Sequence, residues 1–345
     1  MKILPFFIVL FMALSLPARA ADFTIAAYPR HGLKADMSDW IEALGDLKSI
    51  GATGMLITKR WNEIETGDEK YDLTQLGKDL TSNAKEGRKV LFGIQLINTV
   101  KREVPGGLEA KAWNDPAMIA RFKALMMHLK AESPAPPAYI SIGNEVDVYF
   151  ERHPDELGDY LAFCKQAAEV IRKDIFPDAK IGITVTYEGL VKGREGIIRQ
   201  LVAAGDVAIF TYYPLIDMQP LPLDQVPNHL DAIVAAAQGK PVLLQEVGFP
   251  SGKRIGASEE MQAAFFKNVI AGIQARPQIA FASLFLLHDF DDALCDTFLT
   301  YYGAGVAPKE AKARFRDFLC TLGLKETGGR EKPAWGVVKK ALQQR

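Results

Sequence analysis

Two glutamates stand where a buried strand gives out. The run Ile140-Ser141-Ile142-Gly143-Asn144 leads into Glu145, and Val242-Leu243-Leu244-Gln245 leads into Glu246. A carboxylate beside such apolar residues is costly unless it is paired or put to use. Two carboxyl groups facing each other push their pKa values apart, which leaves one protonated acid and one ionised nucleophile. That is the equipment needed to cut a glycosidic bond. A lone glutamate at a strand end is more often a plain rim residue, so the pair carries the reading.

Other chemistries are poorly supplied. The five histidines, His31, His128, His153, His229 and His288, form no His-x-His or His-Glu-x-x-His pattern for zinc. No Gly-x-Ser-x-Gly elbow occurs. Lys59 is the one weak candidate for a Schiff-base lysine, and it competes with Arg60 and Trp61 for the same strand end. Gly303-Ala304-Gly305 lacks a third glycine, and Arg254 stands where a phosphate loop needs Ser or Thr. No cofactor and no metal are expected.

The elements that would carry the pair repeat regularly. Apolar runs begin near Thr24, Thr53, Lys89, Ala138, Lys180, Asp206, Pro241 and Ile279, with helical patterns between them. Their mean spacing of about 36 residues suits a strand, a crossover helix and two loops. The runs are rich in Val, Ile and Leu and barely alternate, as strands covered on both faces should be. Eight such units predict one (β/α)8 TIM barrel. Glu145 and Glu246 are 101 residues apart. At about 34 residues per unit that is three barrel units, which sets strands four and seven across the mouth from each other. Asp115-Pro116 opens a helix through Lys130, Ser258 caps another, and Lys332-Pro333 starts the last. Further helices are expected over Ser38 to Ser49, with Trp40, Leu44 and Leu47 at helical spacing, and over Gly189 to Ala204. Residues 289–331 are too long for a simple loop and read as a helical excursion on the rim. Asp289, Asp291 and Asp292 there read as a solvated acidic run rather than a calcium site.

Gly143-Asn144-Glu145 after strand four and Glu246 after strand seven resemble the two signatures of the clan A retaining glycoside hydrolases. Within that clan, Ile142 to Val146 and Glu246 to Gly252 look most like plant-type endo-1,3-β-glucanases, and Thr211-Tyr212-Tyr213-Pro214-Leu215 more like endo-1,4-β-galactanases. Lys332-Pro333-Ala334-Trp335 resembles the last-helix start of many members. The resemblance implies Glu145 as acid/base, Glu246 as nucleophile, Asn144 on the sugar 2-hydroxyl and Tyr213 against the nucleophile. It implies carboxyl groups about 5–5.5 Å apart and action inside a chain of β-linked sugars. Many relatives carry His or Asn at the place of Thr211, and a Trp ending strand eight, where His288 is the candidate replacement. Arg60, Trp61, Tyr28, Asn98 and Tyr187 end other strands and are candidate subsite residues, since sugars stack their C–H faces on aromatic rings. A non-catalytic carbohydrate-binding or scaffold barrel and a glucan-remodelling transglycosylase are the alternatives.

The first twenty residues stand outside this pattern. Lys2, an apolar core from Pro5 to Leu16 and Ala18-Arg19-Ala20 read as a signal peptide, with the barrel occupying 21–345. Export to the periplasm or beyond, with no stable membrane insertion after cleavage, is expected. Without that segment 39 basic residues face 42 acidic ones, so nothing suits a nucleic-acid backbone. An oxidising compartment would allow a Cys295–Cys320 disulfide, although three free thiols are an equal expectation, and Cys164 reads as a buried small hydrophobe.

Overall fold

The computed structural model describes residues 20–67 and 70–344. The segment read as a signal peptide lies outside them, Ala20 excepted. Eight barrel strands follow in order: Asp22–Ile25, Gly54–Arg60, Lys89–Asn98, Tyr139–Asn144, a fifth in two pieces (Lys180–Gly182 and Thr184–Thr186), Ala208–Tyr212, Val242–Val247 and Ile279–Leu284. Every neighbouring pair on this ring except strands one and two forms a parallel ladder. The fifth strand gives its first piece to strand four and its second to strand six. The ring closes where Thr53 N donates to Phe23 O at 3.1 Å. The (β/α)8 barrel expected from the spacing is the fold.

Alternation along each strand fills the interior. Leu91, Tyr139, Ile209, Leu243 and Phe281 pack together at the closed end; Ser141 and Gln245, two residues further along their strands, and Thr184 on strand five are buried polar residues nearer the mouth. The outward positions join the helices in one large apolar core.

Helix starts follow the capping chemistry. Asp115 accepts from Ala117 N and opens Pro116–Glu132, and Ser258 accepts from Met261 N and opens Glu259–Gln274. Pro333–Gln343 is the last helix, with Trp335 buried. Two details depart from expectation. The first helix, Met37–Ser49, buries Ala43 and Leu47 while Trp40 and Leu44 stay exposed, because two apolar stripes share one period and the smaller residue fits the sheet. The segment after strand five is two helices, Tyr187–Val191 and Glu195–Ala203, broken at Gly193, whose φ of 86° cannot continue a helix.

The rim excursion carries the helices Asp292–Tyr301 and Lys309–Leu319, joined by a Cys295–Cys320 disulfide, while Cys164 is a buried free thiol. Of Asp289, Asp291 and Asp292, two depart from the solvated run expected. Asp289 is buried against Lys332 Nζ at 2.8 Å, and Asp291 caps the first of these helices through Leu294 N. Only Asp292 faces solvent, beside Arg316. Among the described residues no helix is long and apolar enough to cross a membrane, and no acidic, His or Cys cluster fits a metal ion.

Candidate active site

The backbone bends at both glutamates. On strand seven, Leu244 pairs with Phe210 but Glu246 pairs with Thr211, so two residues oppose one. Such a bulge re-aims side chains, and here Gln245 turns into the barrel while Glu246 reaches the mouth. On strand four, Gly143 has φ 87°, and a Cβ there would meet Tyr160 OH at 2.5 Å. Glu145 follows in the left-handed region at φ 50°, and Thr99 at the end of strand three shares that conformation at φ 51°. Each non-glycine residue held there costs about 1–3 kcal/mol, and such strain gathers at functional sites.

The carboxylates are held by hydroxyls. Thr211 Oγ1 donates to Glu145 Oε1 at 2.7 Å, and Thr99 Oγ1 donates to Oε2 at 2.8 Å. Tyr213 OH donates to Glu246 Oε2 at 2.7 Å. Glu145 therefore reaches across the mouth to Thr211, the register neighbour of Glu246 on the adjoining strand. Both groups are half-buried. Burial raises Glu145, with Asp147 and Glu188 adding to the rise and the two threonines opposing it. Burial and the charge of Glu145 raise Glu246 to about 7, against the pull of Tyr213 and Gln245. The pair therefore keeps a proton to higher pH than an isolated glutamate would.

A chain of polar side chains supports the site from below. Thr184 Oγ1 donates to Gln245 Oε1 at 2.7 Å, Gln245 Nε2 to Asn144 Oδ1 at 2.6 Å, and Asn144 Nδ2 to Asn98 Oδ1 at 3.0 Å. Strands three, four, five and seven are thus tied together beneath the glutamates. A second buried cluster lies beside strand four, where Asp147 accepts from Thr186 Oγ1 at 2.7 Å and from Arg194 Nε at 3.0 Å.

The remaining residues singled out in the sequence divide. Tyr213 and Asn98 are half-buried at the mouth, and Asn144 is buried just beneath it. Tyr28 is half-buried on the rim, its hydroxyl donating to Asp291 at 3.2 Å. Arg60 is turned to Glu63 and Glu103, with Tyr301 beneath its guanidinium, and makes no contact with Glu246. Three expectations are corrected. Trp61 is fully buried, its Nε1 donating to Glu65 at 2.8 Å, because a short helix, Trp61–Ile64, begins there and turns it into the core. Tyr187 likewise opens a helix and packs edge-on against Tyr212. His288 is buried with Nδ1 donating to Tyr28 O at 2.9 Å, its charged neighbours being Lys325, Asp46 and Glu42, outside the mouth.

Three residues at the mouth were not foreseen. Thr99 gives no signal in the sequence. Phe285 directly follows strand eight, which ends at Leu284 rather than running on to Leu287. Its half-buried ring meets Tyr213 edge-on at 6.2 Å, which puts an aromatic ring beside the residue that holds Glu246. Tyr302, from the excursion, sits close enough to both glutamates and to Thr99 for them to act on its phenol, which burial and the two carboxylates hold well above its usual range while the Thr99 hydroxyl opposes them. A Tyr-Tyr pair late in the chain was its one sequence trace.

No family model and no curated protein matches this chain. Solved structures do. GH5_18 from Bifidobacterium longum subsp. longum ATCC 55813 superposes with a TM-score of 0.72 at 15% identity, over 94% of this chain and 79% of that one. GH5_18 from Streptomyces cattleya, in complex with GlcNAc, gives 0.70 at 16%, over 95% and 80%. The exo-β-1,4-mannosidase Op5Man5 from Opitutaceae bacterium strain TAV5 gives 0.69 at 17%, over 95% and 60%. At these identities the likeness is one of fold.

Proposed function

We propose that this protein is a retaining β-glycosidase acting on a β-linked oligo- or polysaccharide. The observation that carries the reading is the convergence of Glu145 and Glu246 from strands four and seven, with Glu145 hydrogen-bonded to the register neighbour of Glu246. Retention needs two carboxyl groups about 5–5.5 Å apart, and the reach of Glu145 to Thr211, which pairs with Glu246, supports that arrangement. In the first step Glu246 attacks the anomeric carbon and the bond from that carbon to the bridging oxygen breaks. Glu145 gives its proton to that oxygen as the leaving sugar departs. In the second step water attacks the same carbon, Glu145 takes the water's proton, and Glu246 leaves as a carboxylate. Tyr213 holds Glu246 in line for attack. Asn144 would meet the 2-hydroxyl through the amide hydrogen that Asn98 does not take.

The solved structures support the reading at the level of fold, and two of them are complexes with sugars: GlcNAc, and Manb1-4GlcNAc for a GH5_18 variant from Bifidobacterium longum. Export is part of the proposal, and the Cys295–Cys320 disulfide is the feature that suits an oxidising compartment.

The test is covalent labelling of the chain from Ala21 with activated 2-fluoro glycosides, followed by peptide mapping, alongside a screen on β-1,3-glucan, β-1,4-galactan, mannan and xylan. An adduct on Glu246, and loss of nearly all turnover in Glu246→Gln, are expected. A Glu246→Gln protein that hydrolyses β-glycans at the parental rate would refute the assignment, and a chain that binds glycans without adduct or turnover would be a binding protein instead.

A further inference from the structure

We propose that the excursion after strand eight closes one end of the mouth and makes the enzyme exo-acting, taking the terminal, non-reducing sugar of a β-glycan. This rests on the glycosidase reading above and replaces the internal action that the motif likeness implies.

The excursion is fastened around most of the rim. At strand one, Asp291 accepts from Leu33 N at 2.7 Å and from Tyr28 OH, and His31 N donates to Thr327 O at 3.1 Å. At strand three, Tyr301 OH donates to Glu103 Oε1 at 2.6 Å and to Asn98 O at 3.3 Å, with Lys101 Nζ 4.1 Å from the centre of its ring. At strand six, Arg314 Nη2 donates to Met218 O at 2.9 Å. At strand seven, Arg254 N donates to Asp317 Oδ2 at 2.8 Å. The disulfide ties its two helices together. Among the described residues no hydrogen bond joins it to the loops after strands four and five. The cover is therefore one-sided.

Tyr302 is the innermost part of this cover. It follows the helix Asp292–Tyr301, its ring is backed by Phe315 at 5.6 Å, and its phenol stands by Thr99 and both glutamates. A side chain so braced is a wall rather than a loose flap.

The chemistry fixes which end of the substrate meets the wall. Glu145 must reach the bridging oxygen to protonate it, so the leaving sugar lies on the strand-four side. That is the side the excursion leaves open. The sugar that becomes bonded to Glu246 then lies on the covered side, in a pocket that Tyr302 closes where a further residue would continue. Such a pocket releases one sugar at a time from the non-reducing end.

The experiment uses β-1,4-manno-, β-1,4-galacto- and β-1,3-gluco-pentaoses, each with a fluorescent tag on the reducing end. Each is supplied free and with a cyclic acetal across the terminal 4- and 6-hydroxyls. On whichever series is turned over, the tagged tetraose is expected first and the triose next, with the capped form cut about 100-fold more slowly. Tyr302→Ala should shrink that capped-to-free difference about tenfold. Tagged di- or trisaccharide as the first product, with the cap making no difference, overturns exo action even if Tyr302→Ala fails to fold. An unchanged ratio in a folded Tyr302→Ala protein overturns Tyr302 as the wall. Absence of turnover on every series, with no adduct on Glu246, overturns the glycosidase reading itself and so separates the two failures.

Discussion

Replacing Tyr213 by Phe removes one oxygen and leaves the ring in place. The ring packs edge-on against Phe285 and Phe318, at 6.2 and 5.7 Å, and Gly248 makes room for it, since a Cβ there would come within 2.5 Å. The fold should therefore tolerate the change. What is lost is the 2.7 Å hydrogen bond to Glu246. A hydrogen bond to a charged group is worth about 1.5–3 kcal/mol, which is roughly 10- to 150-fold in rate if it is felt by the attacking carboxylate. The same bond pulls Glu246 down against burial and the charge of Glu145, which together hold it at about 7. Without it the carboxyl group ionises at higher pH. The nucleophile works only when ionised, so activity is lost on the acid side. The acid limb of kcat/KM should move upward by about 1–2 pH units, with the loss of rate largest at low pH. The assay is a pH–rate profile on an aryl β-glycoside for both proteins. A folded Tyr213→Phe enzyme with an unmoved acid limb and a rate within threefold of the parent, roughly the spread of ordinary surface changes, would refute the link between the phenol and the nucleophile.

Two further outcomes follow from the same geometry. Thr211→Val removes a donor that lowers Glu145. The acid should then keep its proton to higher pH and the alkaline limb should move upward, again read from the pH–rate profile; an alkaline limb that moves down would contradict this. Asp147→Ala leaves Arg194 buried with only the half-exposed Glu151 and Glu188 nearby, and breaking a buried pair of this kind should cost about 3 kcal/mol, measured as a fall in the urea midpoint at unchanged slope.

Much of the framework was legible because its signals are local. An apolar run bounded by turn residues marks a strand without any knowledge of its partner, and eight at even spacing leave little choice of topology. Glu145 and Glu246 were legible for the same reason, each lying at the end of such a run. Trp61 and Tyr187 misled because a strand and the short helix after it share no boundary mark, and one residue of advance turns a side chain from the mouth into the core. The first helix misled through phase: Trp40 and Leu44 hold the same period as Ala43 and Leu47. Asp289 and Asp291 looked solvated because their partners, Lys332 and Leu33, are far away in the chain. Tyr302 was out of reach for that reason too, since nothing in its neighbours says that the excursion folds back over strand three.

The choice of hydroxyls around Glu145 has a chemical logic. An acid/base must be protonated at the start of a turnover and ionised in the middle of it. A lysine or a backbone N–H can only donate, so it would satisfy the carboxylate and leave the acid's O–H without an acceptor. A threonine hydroxyl donates to a carboxylate and accepts from a carboxylic acid by turning about one bond. Thr99 and Thr211, one on each oxygen, can serve both states without moving the glutamate. They also act against the rise from burial, Asp147 and Glu188, and a catalytic acid works best with its pKa near the working pH. The left-handed backbone at both Glu145 and Thr99 fits this account. Thr99 N donates to the carbonyl of Asn144, just before Glu145, at 2.8 Å, and Thr99 Oγ1 to Glu145 Oε2, so backbone and side chain both hold the two strained residues together, and the strain falls on the contact that has to survive both charge states.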